Sequence, residues 1–161
     1  MSVETGTVDA EVGEREKIYV RTMRAEDLKA IVGIDGVSSG APRPQYFELL
    51  IERSLRQAAM QVSLVAESEG RVTGFVVASV YFGEYGILEP TASIDAIGVD
   101  PATRRQRVAH ALMLQLGANL RAVGVTTIRT EVDWSDIDLL GFFKSEGFAP
   151  APRLCLERRL A

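Results

Sequence analysis

Between Gly74 and Phe82 the chain reads GFVVASVYF, apolar at odd and even positions alike. Side chains of a strand alternate between two faces, so a strand of this kind is stable only when both faces are covered. That requirement rules out a two-layer sheet with one wet side. It points to a sheet with helices on both faces.

The flanking sequence supplies both kinds of element. KIYVRTM, from Lys17, has the β-branched and aromatic content of a strand. RAEDLKAIVGIDGVSS sets Leu28, Ile31, Val32 and Asp35 at helical spacing behind first-turn acids, which favour a helix start. SSGAPRP breaks that helix, and QYFELLIERSLRQAAM resumes the period through Phe47, Leu50, Ile51 and Leu55. QVSLVAES and the GFVVASVYF run then read as two strands joined by a tight turn at Glu69-Gly70.

Downstream, TASIDAIGVD is a strand ended by Asp100-Pro101, and RVAHALMLQLGANLRAVG is a helix through Val108, Leu112, Leu116 and Leu120, capped at Gly124. VTTIRTEV is a strand, SDIDLLGFFKSEG a helix with Ser135 as N-cap and Gly147 as stop, and RLCLERRL a closing strand that buries Cys155. The expected architecture is a mixed α/β (α+β) domain with a central mixed sheet flanked by helices. Its first half is mainly antiparallel.

Charge and composition narrow the chemistry. The first sixteen residues hold five of the 22 acids and one of the 18 bases, leaving seventeen of each sign for the remainder. Residues 1–16 are expected to form a flexible acidic tail, and 17–161 one domain. A neutral body lacks the basic face that binds a phosphate backbone, so nucleic acid is not the expected partner. No apolar run reaches the roughly 18 residues that span a bilayer, so no membrane is expected either. The N-terminus has neither the basic start nor the apolar block of a leader, and a cytoplasmic location is the expectation. With His110 and Cys155 each alone of their kind, no metal site is expected.

One stretch carries most of the functional signal: VDPATRRQRVAHALM, Val99 to Met113. Its arginines 104, 105 and 107 sit where a strand gives way to a helix. Three readings compete: a solvated helix start, an anion site, and a nucleic-acid patch. Cations in a first turn oppose the helix dipole, whereas the free amides there attract anions, so a diphosphate would suit the place.

IDAIGVDPATRRQRVAHALM resembles the signature of the GNAT N-acetyltransferases, in which an apolar strand ending V-x-P precedes Q/R-x-x-G-x-G/A at a helix start. SDIDLLGFFKSEGF resembles that family's late helix, often N-x-x-A-x-x-L-Y-x-x-x-G-F. The resemblance covers Lys17 to about Leu160 and implies the GNAT acyl-CoA N-acyltransferase fold. It also implies acetyl-CoA as co-substrate, with no metal, and transfer to a primary amine by direct attack in a ternary complex. The acceptor would be a small molecule or a protein, and dimerisation, common for the fold, makes a homodimer an expected option.

Residue by residue, Arg104 takes the Q/R position, Arg107 the first glycine position and Ala109 the Gly/Ala position, with Arg105, Gln106 and Val108 between them. Ile97 and Val99 would lie at the strand end that receives the pantetheine arm. Asp136 stands at the asparagine position, Leu139 at the alanine position, and Phe143 at the tyrosine position that often supplies the general acid. Arg107 for glycine and Phe143 for tyrosine leave a second reading open: a weak or inactive GNAT-fold binding or regulatory module. Ser38 to Pro44, with Tyr46 and Phe47, would wall the acceptor site.

An attacking amine must first lose its proton, and Asp95, Glu131 and Asp133 are the candidate bases. Asp95 is on the strand entering the loop. Glu131 and Asp133 alternate at the end of the neighbouring strand, which would aim them at one face. Tyr81 and Tyr85 could donate a proton across the cleft, although packing explains them as well, and His110 reads as structural.

Overall fold

The computed structural model describes residues 17–56, 60, 62–83 and 86–160. The expected acidic tail at 1–16, and Tyr85, lie outside the described residues. The described elements are β1 (Tyr19–Thr22), α1 (Leu28–Ser39), α2 (Pro44–Arg56), β2 (Leu64–Ser68), β3 (Arg71–Tyr81) and β4 (Thr91–Val99), followed by α3 (Val108–Ala122), β5 (Thr127–Thr130) and α4 (Ile137–Ser145). Short 3-10 turns precede α1 and α3, at Ala25–Asp27 and Pro101–Gln106.

The five strands form one sheet in chain order. β1 to β4 pair antiparallel, and β5 joins β4 in parallel. The β2–β3 turn bears out the Glu69-Gly70 expectation, since both residues adopt positive φ, 50° and 74°. That pair of left-handed residues gives the turn a twist matching the strands.

β3 is covered on both faces, as its composition demands. Phe75 and Val77 join Met23, Ile31, Ile34, Phe47, Leu50, Ile51 and Val65 in a core beneath α1 and α2. Val76, Ala78 and Val80 join Leu64, Ala66, Ala92, Ile94, Val108, Leu112, Leu116, Leu120 and Phe143 on the side of α3 and α4. At one end of the sheet, Arg21 holds the buried Asp27 through two 2.8 Å bonds, and its Nε donates to Glu67.

Two expectations fail. The N-cap of α4 is Asp136, whose carboxylate accepts from Leu139 N at 3.0 Å, while Ser135 turns back to Asp133 instead. The RLCLERRL segment forms no strand, and Leu154, Leu156 and Leu160 are 84%, 89% and 84% exposed. Cys155, expected buried, is exposed with them. Alternation marks a strand, but a strand forms only where an edge is brought to it.

Candidate active site

The site begins at a bulge. Val77 of β3 faces Ala96 of β4 and Ala78 faces Ile94, so Asp95 is an extra residue with no partner opposite. A bulge bends and further twists its strand. Here the bend comes where β4 parts from β5: the pairing runs from Thr91 with Thr127 to Ile94 with Thr130 and stops. Thr130 Oγ1 donates to the Ile94 carbonyl at 3.2 Å at that vertex. Beyond it, Ala96 to Val99 stay half-buried, paired with β3 on one side and with nothing on the β5 side among the described residues.

A cavity of about 180 Å³ lies in this wedge. Asp35, Arg43, Tyr46 and Phe47 of the α1–α2 region wall one side; Thr130, Glu131, Leu139 and Phe143 wall the other; Ile94, Asp95, Ala96 and Ile97 form its floor. Arg43, Tyr46 and Phe47 thus stand where a wall from this region was expected. Of the three candidate bases, Asp95 and Glu131 line the cavity and Asp133 does not. β5 ends at Thr130, three residues short of Asp133, so the two-residue period that would align Asp133 with Glu131 does not hold.

Each carboxylate has its own surroundings. Asp95 Oδ2 accepts from Ser79 Oγ at 2.7 Å and lies 3.5 Å from Arg53 Nη2. Tyr46 Oη reaches the Asp95 carbonyl oxygen at 3.5 Å, across from α2. Asp133 accepts from the Ser135 hydroxyl at 2.5 Å and from its amide at 2.8 Å. Those bonds hold its carboxyl below the usual carboxylate range, chiefly the hydroxyl bond. Asp35, only 6% exposed, grips Arg43 with two bonds of 2.6 and 3.0 Å. The hydrogen bond to Asp35 raises the Arg43 pKa above the ordinary value and outweighs burial. The Arg43 guanidinium also covers the rings of Tyr46 and Phe47, at 5.0 and 5.7 Å.

Sequence reasoning did not assign Asp35, Arg53 or Ser79 to the site. A signal existed for one of them, since a carboxylate placed on the apolar stripe of α1 must find a partner. The others depend on the bulge that turns Asp95 toward them.

The loop after β4 is built by Asp100. Its side chain accepts from Ala102 N at 2.9 Å, its carbonyl receives the Thr103 amide at 2.8 Å, and its own amide donates to the Thr73 carbonyl at 2.8 Å. The 3-10 turn ends at Arg107, which takes a left-handed conformation, φ 62° and ψ 26°. α3 then starts at the buried Val108, and the Ala111 amide bonds the Arg107 carbonyl at 3.0 Å. The amides of Val108, Ala109 and His110 precede the first internal bond and face out of the helix start. Arg104, Arg105 and Gln106 lie in the 3-10 turn, and their side chains lie outside the described residues.

α3 can sit this close to the sheet because residue 74 has no side chain: a Cβ there would come within 2.7 Å of Val108 Cγ1. His110 fixes α3 to α4, its Nδ1 lying 2.9 Å from Glu146 Oε1, in keeping with a structural role. Asp136 caps α4 and does not line the cavity. Phe143 does, 3% exposed, its ring tilted against those of Phe142 and Phe148 at centroid distances of 5.2 and 4.9 Å. Tyr81 ends β3, half-buried and away from the cavity.

Parallel strands that splay, a cavity in the gap between them, and a loop that carries the same strand on into a helix start are one arrangement, and comparison with known proteins gives it a family. The model of the acetyltransferase (GNAT) family matches residues 26–148, and the chain belongs to that family. Among solved structures, Ard1 from Thermoplasma volcanium superposes with a TM-score of 0.69 at 25% identity, covering 82% of each chain. The ribosomal-protein-alanine N-acetyltransferase of Brucella melitensis biovar Abortus 2308 reaches 0.71 at 18% identity, over 90% of this chain and all of its own. An aminoglycoside 6'-N-acetyltransferase from Acinetobacter haemolyticus gives 0.71 at 17%, over 89% and 99%. The last two likenesses concern the fold. Among the described residues no helix is long and apolar enough to cross a membrane.

Proposed function

We propose that this chain is an N-acetyltransferase that takes acetyl-CoA as co-substrate and passes the acetyl group to a primary amine by direct attack. The observation that carries this reading is the wedge between β4 and β5, with its cavity reaching from the α1–α2 wall to Phe143. The thioester supplies an activated acyl carbon. The open β4 edge at Ile97 and Val99 offers amide and carbonyl groups to an extended amide-bearing arm, as an added strand would be held. The helix start at Val108 and Ala109, with Arg104, Arg105, Gln106 and Arg107 beside it, would receive the diphosphate.

Asp95 and Glu131 share the cavity and have the chemistry to take the amine's proton, directly or through water. Asp95 is the better held of the two, anchored by Ser79. Asp133 is already committed to Ser135. Phe143 has no proton to give to a departing thiolate, so that proton would come from water or from the amine itself. The same ring supports a second reading, a weak or inactive binding or regulatory module that keeps the CoA wedge.

Thiol release from acetyl-CoA, followed across a panel of amines, tests the reading. Release with at least one amine, reduced about 100-fold or more by Asp95→Asn, is the expected result. Saturable acetyl-CoA binding with no release from any amine would favour the second reading.

A further inference from the structure

Once the amine nitrogen has attacked a thioester carbonyl, two protons are out of place. The new C–N bond leaves a surplus proton on nitrogen, and breaking the C–S bond leaves an electron pair on sulfur that needs one. A hydroxyl within reach of both atoms settles the two together, giving its own proton to sulfur and taking the one from nitrogen. Phe143 has no such group. Among the described residues Tyr46 is the one tyrosine that lines the cavity.

The other lining groups are already engaged. Arg43 keeps its proton, because the bond to Asp35 raises its pKa, and Asp35 is committed to Arg43 in turn. The Thr130 hydroxyl donates to the Ile94 carbonyl at the vertex of the wedge. Asp95 and Glu131 are the candidates for the earlier proton, the one an arriving ammonium must lose before it can attack.

Tyr46 is held by its ring and loose at its hydroxyl. The ring meets Phe47 edge-on at 5.0 Å, and Phe47, fully buried, packs edge-on against Phe75 at 5.4 Å. The Arg43 guanidinium covers the Tyr46 ring at 5.0 Å and is itself fixed by two bonds to Asp35. The hydroxyl reaches only the Asp95 carbonyl oxygen, at 3.5 Å, one residue beyond the vertex. An O–H···O bond is usually about 2.7 Å long, so this contact is given up at little cost. Between releasing one proton and taking the next the phenol oxygen is negative, and the nearby guanidinium attracts that charge.

We propose that Tyr46 is the proton shuttle of acetyl transfer, carrying the acceptor's second proton to the departing sulfur. Its Oη–H proton goes to sulfur as the C–S bond breaks, which yields the free thiol. The same oxygen takes the surplus proton from nitrogen, which leaves a neutral amide and an intact phenol. The assignment rests on the acetyl-transfer reading of the wedge, and it puts on α2 the hydroxyl that α4 lacks at Phe143.

Steady-state kinetics of the full-length chain, with an amine from the panel that supports thiol release, test this. Tyr46→Phe keeps the ring and its contacts, and should lower kcat about 100-fold or more with the KM for acetyl-CoA unchanged. Adding Phe143→Tyr returns a hydroxyl to the same cavity from α4 and should recover about 10-fold or more of that loss. A purely structural Tyr46 would not be rescued from another helix. A kcat that Tyr46→Phe leaves within about 3-fold overturns the shuttle while acetyl transfer stands, and so does a loss that Phe143→Tyr leaves unrepaired. An unmodified chain that releases no thiol with any amine overturns the acetyl-transfer reading and the shuttle with it.

Discussion

Thr130 Oγ1 donates to the Ile94 carbonyl at 3.2 Å, and no β4–β5 pairing extends past these two residues. The bond closes the vertex of the wedge. Thr130→Val keeps the shape and strands a half-buried carbonyl, at a cost of about 1 kcal/mol. A domain of this size should melt about 3 °C lower, readable by thermal denaturation.

Arg107 is the left-handed residue between the 3-10 turn and α3. A side chain in that conformation costs about 1 kcal/mol or more relative to glycine. Arg107→Gly should therefore raise the melting temperature by about 3 °C. Its effect on acetyl-CoA affinity identifies the side chain's role: tighter binding means that Arg107 crowds the diphosphate, and weaker binding means that it holds it.

Gly74 sets how closely α3 approaches the sheet. Gly74→Ala puts a Cβ 2.7 Å from Val108 Cγ1 and 3.2 Å from the Gly98 carbonyl oxygen, and overpacking of this kind costs about 1–3 kcal/mol. The helix start carrying the proposed diphosphate amides must shift, so affinity for acetyl-CoA should fall with stability. Adding Val108→Ala should recover part of both, and strict additivity in that double-mutant cycle would contradict the contact.

Asp27 sets the acid limit of the fold. Burial pushes its pKa up, but bonds from Arg21 and the Arg24 amide outweigh burial and bring it below the ordinary 3.8. A carboxyl lowered on folding contributes stability that is present above its unfolded value and is lost as pH falls through the folded one. Denaturant titrations should show that contribution intact at pH 6 and fading below about pH 4. Asp27→Asn should be less stable at pH 6 by about 3 kcal/mol, with the acid-side slope reduced.

Much of this could be read from the sequence because local patterns encode it. The apolar run of β3 demanded two covered faces and has them, and Glu69-Gly70 formed the turn its residues favour. What was not legible depends on register. The bulge at Asp95 is one unpaired residue in a run whose composition is that of an ordinary strand, yet it opens the wedge and turns Asp95 toward Ser79 and Arg53. Glu131 and Asp133 looked equivalent because the period of two was carried past the end of β5. The leucines at 154, 156 and 160 alternate as in a strand, yet 153–160 forms none, because alternation does not bring an edge to pair with.

The central claim is that acetyl-CoA enters the wedge between β4 and β5. Backbone amide NMR during titration with acetyl-CoA tests it most directly. The expected result is saturable shifts concentrated at Asp95–Val99 and at Arg107–His110, with β1 and β2 unmoved. Absence of any shift at millimolar acetyl-CoA, or shifts confined to surfaces away from these two segments, would contradict it.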